Sequence, residues 1–390
     1  MWLALVFMFL LYGSVSGLDG EIDPEVSMTV KEIINYWGYP FEEYEIVTDD
    51  GYILTIHRIP YGRVNRTSPN PSPVYLQHGV LVDSSTWVSN LPENSLGFML
   101  ADSGFDVWMG NSRGNFWSRK HVSLSVDDVK YWEFSYDHMA KYDLPASINF
   151  ILQKTGQQKL HYVAHSQGTT IGFICFSTMP QWAEKIKVFS ALAPVATVKH
   201  AKTPAARFAY VPELTVKLIF GKKEFLPTKN ITDYLAAHVC NQDLGSKLCS
   251  NILFLLCGYN VNNLNMSRLD VYLSHVPSGT SVQNMIHWKQ AVIYGKLQAY
   301  DYGQIGNLLH YNQIQPPEYN IANMNVPAAI WEGGNDWLSN PADNALLFPK
   351  IKRLILRKII ENWNHLDFLY GLDAPNQLYH DLLNVLKQNP

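Results

Sequence analysis

The chain has 390 residues, 47% of them hydrophobic and 16% charged, a composition that suits a large packed globular enzyme and excludes a disordered or fibrous chain. Lysines and arginines number 30 against 34 acidic residues, and a formal charge of -4 offers no electrostatic footprint for nucleic acid or an anionic membrane. A neutral partner is expected.

Residues 1–12 form an apolar run followed by small residues up to Gly17. The run is shorter than the roughly 20 residues that span a bilayer, and the Val15-x-Gly17 pattern reads as a cleavage site, so residues 1–17 are expected to be a signal peptide. No later apolar run is long enough to span, so no transmembrane segment is expected. Three triplets beginning at Asn65, Asn230 and Asn265 fit the N-glycosylation pattern of that route. Of the four cysteines, Cys240 and Cys249 lie close together in a polar stretch and suggest a disulfide loop. Cys175 and Cys257 sit in apolar runs and are expected to be buried free thiols.

Along residues 44–60 two alternating runs flank Asp50-Gly51, a strong hairpin signal, so the sheet should begin antiparallel. Short apolar runs at 74–77, 106–109, 160–164, 188–192, 326–331 and 354–360 then read as buried parallel strands separated by helical segments, which predicts an α/β fold. The interval between 192 and 326 breaks that rhythm. It holds Pro204, a helix-like stretch over 211–220 and the candidate disulfide, and it ends near Pro316-Pro317. The predicted organisation is a core of residues 18–196 and 322–390 with a largely helical cap, 197–321, inserted between its halves.

The strand at 160–164 runs straight into Ser166 and then into a helix pattern. Strand, serine and helix make a nucleophile elbow, whose tight turn needs small residues two before and two after the serine; here these are Ala164 and Gly168, with alanine where glycine is usual. A serine hydroxyl needs a histidine to take its proton and an acid to orient that histidine. In the order serine, acid, histidine only His310, His365 and His380 come late enough, and His365 lies in a polar loop directly after the strand at 354–360. Asp336, after the paired Gly333 and Gly334, is the expected acid, with Glu332 and Asp367 as rivals. The oxyanion that forms on attack needs two backbone N–H donors, expected from Gln167 and from Val80, which follows His78-Gly79 at a strand end. His78 itself is read as structural, and no metal or cofactor is expected.

With these residues placed, the chain resembles the animal acid lipases, the gastric and lysosomal enzymes of the α/β-hydrolase superfamily. The likeness runs from residue 36 to residue 375, and its specific marks lie at 42–44, 50–54, 106–114, 139–145, 165–173, 192–195, 268–272 and 279–284. The resemblance implies a triad of Ser166, Asp336 and His365, Val80 and Gln167 as oxyanion donors, a cap over 197–321, a Cys240–Cys249 disulfide and glycosylation. It also implies hydrolysis of triacylglycerol or cholesteryl esters at a lipid–water interface, and secretion or delivery to the lysosome. Two alternatives stay open: a small-ester carboxylesterase or thioesterase, and a catalytically silent lipid-binding protein of the same fold. An apolar stripe of Val211, Leu214 and Leu218, widened by Ile219 and Phe220, is either core of the cap or a surface for lipid.

Overall fold

The computed structural model describes residues 23–63, 70–226, 258 and 260–390. Residues 1–17, Asn65, Asn230, Cys240, Cys249 and Cys257 therefore lie outside the described residues.

A first helix, α1 (Val30–Tyr36), opens with a capping box in which Thr29 and Glu32 satisfy each other's backbone. It leads into the hairpin β1 (Glu42–Val47) and β2 (Tyr52–Ile59), antiparallel with Ile46 opposite Leu54. Gly51 turns between them at φ +93°, and a Cβ there would meet the Val122 side chain at 2.8 Å, so the turn needs glycine for both conformation and space. The chain continues through β3 (Pro73–Gln77), α2 (Leu96–Asp102), β4 (Asp106–Met109), β5 (Lys120–His121), α3 (Leu144–Thr155), β6 (Leu160–His165), α4 (Gln167–Thr178) and β7 (Ile186–Leu192). An interval follows with α5 (Glu213–Phe220), β8 (Glu224–Phe225), β9 (Thr280–Ser281), α6 (Val282–Tyr294) and α7 (Gly303–Tyr311). The sheet then resumes with β10 (Ala328–Gly333), α8 (Pro341–Leu347) and β11 (Leu354–Ile360), and the chain ends in α9 (His380–Gln388).

The main sheet runs β1-β2-β4-β3-β6-β7-β10-β11, with β5 pairing to β2. From β4 to β11 every pairing is parallel, and the antiparallel hairpin closes the other edge. Strand alternation divides the core into two layers. Val74 and Leu76 face one layer with α1, α2 and α9, whereas Tyr75, Tyr162 and Ala164 face the other with α3 and α4. Because helices cover both faces, β3, β4, β6 and β10 are buried along their whole length, which is why their sequences are apolar runs.

Two strand expectations need correction. The run at 354–360 is not a buried strand: β11 is a sheet edge whose residues alternate in exposure, with Ile355 and Ile359 facing solvent, and Arg357 and Lys358 are the mid-strand charges an edge tolerates. The strand expected from 326 begins at Ala328, since Pro327 has no N–H for the ladder. The two-residue β5 carried no periodic signal.

The interval between β7 and β10 has its own small core of Val216, Phe225, Val282, Ile286 and Tyr300. It is tied to the rest by Arg268, whose guanidinium makes a two-pronged contact to Glu25 at 2.6 and 2.7 Å, and by a bridge between Leu264 and Gly371. No helix among the described residues is long and apolar enough to cross a membrane.

Candidate active site

Parallel strands present their carboxyl ends at one edge, and the loops after β3, β6, β10 and β11 meet there. At the end of β6, Ser166 takes φ +53° and ψ -123°, and α4 starts at the next residue. Its backbone is held by a hydrogen bond from Ser166 N–H to the Leu192 carbonyl at 3.2 Å, and by the Thr169 hydroxyl, which donates to the Ser166 carbonyl at 2.6 Å. Gly168 is required by contact: a Cβ would fall 2.5 Å from the Gln77 carbonyl oxygen and 2.9 Å from that of His78. At Ala164 the residue has no positive φ, and its methyl is packed in the layer with Tyr162, so the turn does not call on a glycine there.

His365 reaches the serine from the loop after β11. Its Nε2 lies 2.8 Å from Ser166 Oγ and its Nδ1 2.8 Å from Asp336 Oδ2. A carboxylate can only accept, so Nδ1 carries the proton and Nε2 presents its lone pair to the serine hydroxyl, which donates. The other oxygen of Asp336 accepts the backbone N–H groups of Leu338 and Ser339, each at 2.8 Å, so the carboxylate cannot rotate away from the imidazole. Gly333 and Gly334 let the two loops approach: added Cβ atoms would lie 2.5 Å from the carbonyl oxygens of Trp363 and Glu361. All three side chains are at least nine-tenths buried.

The other candidates go elsewhere. Glu332 accepts from Arg357 Nε at 2.8 Å, and burial raises its carboxyl pKa. Asp367 accepts from Asn260, Asn263 and the Asn364 backbone, and burial pushes it up to about 6. His310 stacks on Tyr302, and His380 is exposed at the start of α9. Beside the serine runs the loop 79–81: a Cβ on Gly79 would lie 3.0 Å from Ser166 Cβ, and Leu81 is held at φ +61° with its carbonyl accepting from Ser278 N–H at 2.8 Å. This places Val80 and Gln167 on the two segments that flank Ser166. Asn265 is half-buried and accepts from the Ser267 hydroxyl at 2.8 Å. Cys175 is a buried free thiol, and its burial raises its pKa.

Three contacts were not foreseen. The His165 ring nitrogen Nε2 donates to the His365 carbonyl at 2.9 Å and so anchors the backbone of that loop. The Gln167 side-chain oxygen accepts from Asn284 Nδ2 at 2.9 Å and from Trp288 Nε1 at 2.7 Å, which fastens α6 to the start of α4. Position next to Ser166 could have flagged His165, and Asn284 lay in a recognised motif without a role; Trp288 had no local signal. Among the described residues no group of three or more His, Cys, Asp or Glu is placed to hold a metal ion.

A serine, histidine and aspartate hydrogen-bonded in series at the carboxyl edge of a mainly parallel sheet mark an α/β-hydrolase. The α/β hydrolase fold family model matches residues 72–372, and the partial α/β-hydrolase lipase region matches residues 30–91. Among solved structures, a soluble variant of monoglyceride lipase from Saccharomyces cerevisiae superposes with a TM-score of 0.53 at 14% identity, covering 90% of this chain and 98% of that one. An esterase from Thermogutta terrifontis gives 0.51 at 14%, covering 89% and 98%; at such identity these share the fold. Within that class the chain belongs to the acid lipase family and is a carboxylic-ester hydrolase. It is 53% identical over 395 residues to gastric triacylglycerol lipase of Rattus norvegicus, covering 100% of both chains. It is 56% identical over 369 residues to lysosomal acid lipase/cholesteryl ester hydrolase of Homo sapiens, covering 94% of this chain and 92% of that one.

Proposed function

We propose that this lipase cleaves the esters of neutral lipids, triacylglycerol or cholesteryl ester, through an acyl-enzyme on Ser166, with His365 as base and acid and Asp336 as its orienting partner. The observation that carries the reading is the imidazole of His365, 2.8 Å from Ser166 Oγ on one side and 2.8 Å from Asp336 on the other. Ser166 Oγ attacks the ester carbonyl as its proton passes to His365 Nε2, and the carbonyl oxygen becomes an oxyanion facing the Val80 and Gln167 amides. Collapse breaks the ester C–O bond, and the imidazolium returns its proton to the departing alcohol. Water then repeats the sequence on the acyl-enzyme, releasing fatty acid and restoring Ser166.

The names of the relatives, a gastric triacylglycerol lipase and a lysosomal cholesteryl ester hydrolase, support this substrate class and a destination outside the cell, with the lysosome as the alternative. Residues 197–321 act as a cap that meets the lipid–water interface. Supporting this, Leu214, Leu218 and Ile219 on α5 are 70%, 76% and 62% exposed. Fatty-acid release from emulsified triacylglycerol and cholesteryl ester by the wild type, Ser166→Ala and His365→Ala tests the reading. Each variant is expected to keep its fold and lose nearly all activity, and substantial turnover by either would refute the assignment.

A further inference from the structure

The loop that bears Val80 is held by a side chain with no role in the reaction as written. His78 is fully buried, with Nδ1 2.7 Å from the Gly79 carbonyl oxygen and Nε2 3.0 Å from the backbone nitrogen of Ser112. An amide N–H can only donate, so Nε2 is the unprotonated nitrogen, and the single ring proton sits on Nδ1, donating to the Gly79 carbonyl. The Asn115 side-chain amide, also a donor, lies 3.4 Å from the same Nε2. Ser112 is itself fixed, since its hydroxyl accepts from Gln77 Nε2 at 3.0 Å, and the next amide, that of Arg113, donates to Asp143 at 3.1 Å. The imidazole is therefore a strut between the rigid β4 loop and the first carbonyl of the loop beside Ser166.

A trans peptide is planar, with its C=O and N–H pointing in opposite directions. Drawing the Gly79 carbonyl onto the imidazole therefore turns the Val80 N–H away from His78. A peptide flanked by glycine has little intrinsic preference for either orientation, so the strut decides it. We propose that His78 is a positioning residue for ester hydrolysis, whose Nδ1–H···O=C bond to Gly79 presets the Gly79–Val80 peptide so that the Val80 amide faces the oxyanion before substrate arrives. The inference rests on the reading of Ser166 as nucleophile and of the Val80 amide as an oxyanion donor. Burial holds the His78 pKa below the ordinary histidine value, consistent with a ring that stays neutral against the Ser112 donor.

The test uses full-length enzyme on a soluble short-chain ester, with His78→Ala and His78→Asn, and the rate at which a phosphonate labels Ser166. Loss of one preorganised oxyanion donor costs about a hundredfold in kcat, so His78→Ala is expected to fall by about that factor with KM unchanged. Phosphonylation, which also develops charge on the oxygen facing Val80, should slow in parallel. His78→Asn puts an amide donor near the position of Nδ1 and is expected to recover most of the loss in both readouts. In the wild type, nitrogen NMR of the assigned His78 ring should show a protonated Nδ1 and a bare Nε2, a readout that does not depend on any variant folding. A protonated Nε2, wild-type kcat in His78→Ala, or a fall in kcat and melting temperature with undiminished phosphonylation would each overturn the proposal. The underlying reading fails separately, if wild-type enzyme is not phosphonylated at Ser166.

Discussion

Ser166 is held at φ +53°, a region that costs a non-glycine residue about 1–3 kcal/mol and persists only where neighbours over-determine it. Those neighbours are hydrogen bonds to its N–H and carbonyl, and the close approach of Gly168 to β3. Two positions before it the constraint is different, because Ala164 is ordinary, buried strand backbone. Ala164→Gly should therefore lower stability by about 0.5–1 kcal/mol in chemical denaturation, through added backbone freedom and a lost methyl, and should not raise kcat. For the acid, Asp336→Asn would place an amide against His365 Nδ1 and favour the wrong tautomer, with a loss in kcat of about 10⁴. Asp367→Asn should cost far less in kcat, since that carboxyl pins Asn260, Asn263 and Asn364 and does not touch the imidazole. Steady-state kinetics on a soluble ester separates the two, and the reverse ranking would reassign the acid.

At the scale of elements, α4 and α5 show opposite relations between burial and sequence. Residues 167–177 of α4 are buried on every side, because the helix packs on β6 and β7 and is covered by residues 136–143, α3 and residues 180–183 and 321–323, and its first turn abuts the β3 loop. Gly168→Ala is expected to force those two apart, lowering both kcat and melting temperature. On α5 the inward residue is Val216, and the stripe read from the sequence divides: Leu214, Leu218 and Ile219 point outward, whereas Val211 and Phe220 pack against the segment's own core. Replacing both leucines by serine should leave the melting temperature nearly unchanged and depress hydrolysis of emulsified long-chain triacylglycerol more than that of a soluble ester, because each leucine gains roughly 1.5–3 kcal/mol on leaving water. A parallel fall of both activities with melting temperature would place the interfacial face elsewhere.

The whole molecule carries a pH signature at the junction of the core with the inserted segment. Asp137, one residue before His138, accepts from the Tyr300 N–H at 2.8 Å and the Tyr319 hydroxyl at 3.0 Å, and lies 3.8 Å from His287 Nδ1. Burial pushes Asp137 up to about 7 and takes His138 and His287 down to about 3. For Asp137 the folded chain binds the proton more tightly than the unfolded one, so its contribution is present at low pH and is lost as pH rises from about 4 toward 7. The two histidines act in the other sense: the unfolded chain takes up their protons first, so stability falls as pH drops from about 6.5 toward 3. In Asp137→Asn the side-chain oxygen can still accept from Tyr300 and the amide can donate to the Tyr319 hydroxyl. That variant should raise the melting temperature at pH 7.5 and leave it unchanged at pH 4. An equal shift at both values would show that Asp137 does not titrate in this window.

Much of this protein is legible in its sequence. The hairpin at Asp50-Gly51 and the parallel strands followed from local periodicity and turn chemistry, which are encoded over a few adjacent residues. Ser166, Asp336 and His365 were each marked by their place just past a strand end, and the structure brings them within hydrogen-bond reach. What periodicity could not supply was the environment on each side of an element. An apolar run does not say whether it lies at the centre or the edge of a sheet, and so the sequence of β11 reads as buried although the strand is an edge. Nor could the sequence distinguish a structural His78 from one that grips the Gly79 carbonyl, or link Gln167 to Trp288 across 121 residues. Those facts are set by packing between segments remote in the chain, where distance and hydrogen-bond direction decide the role and no local pattern records them.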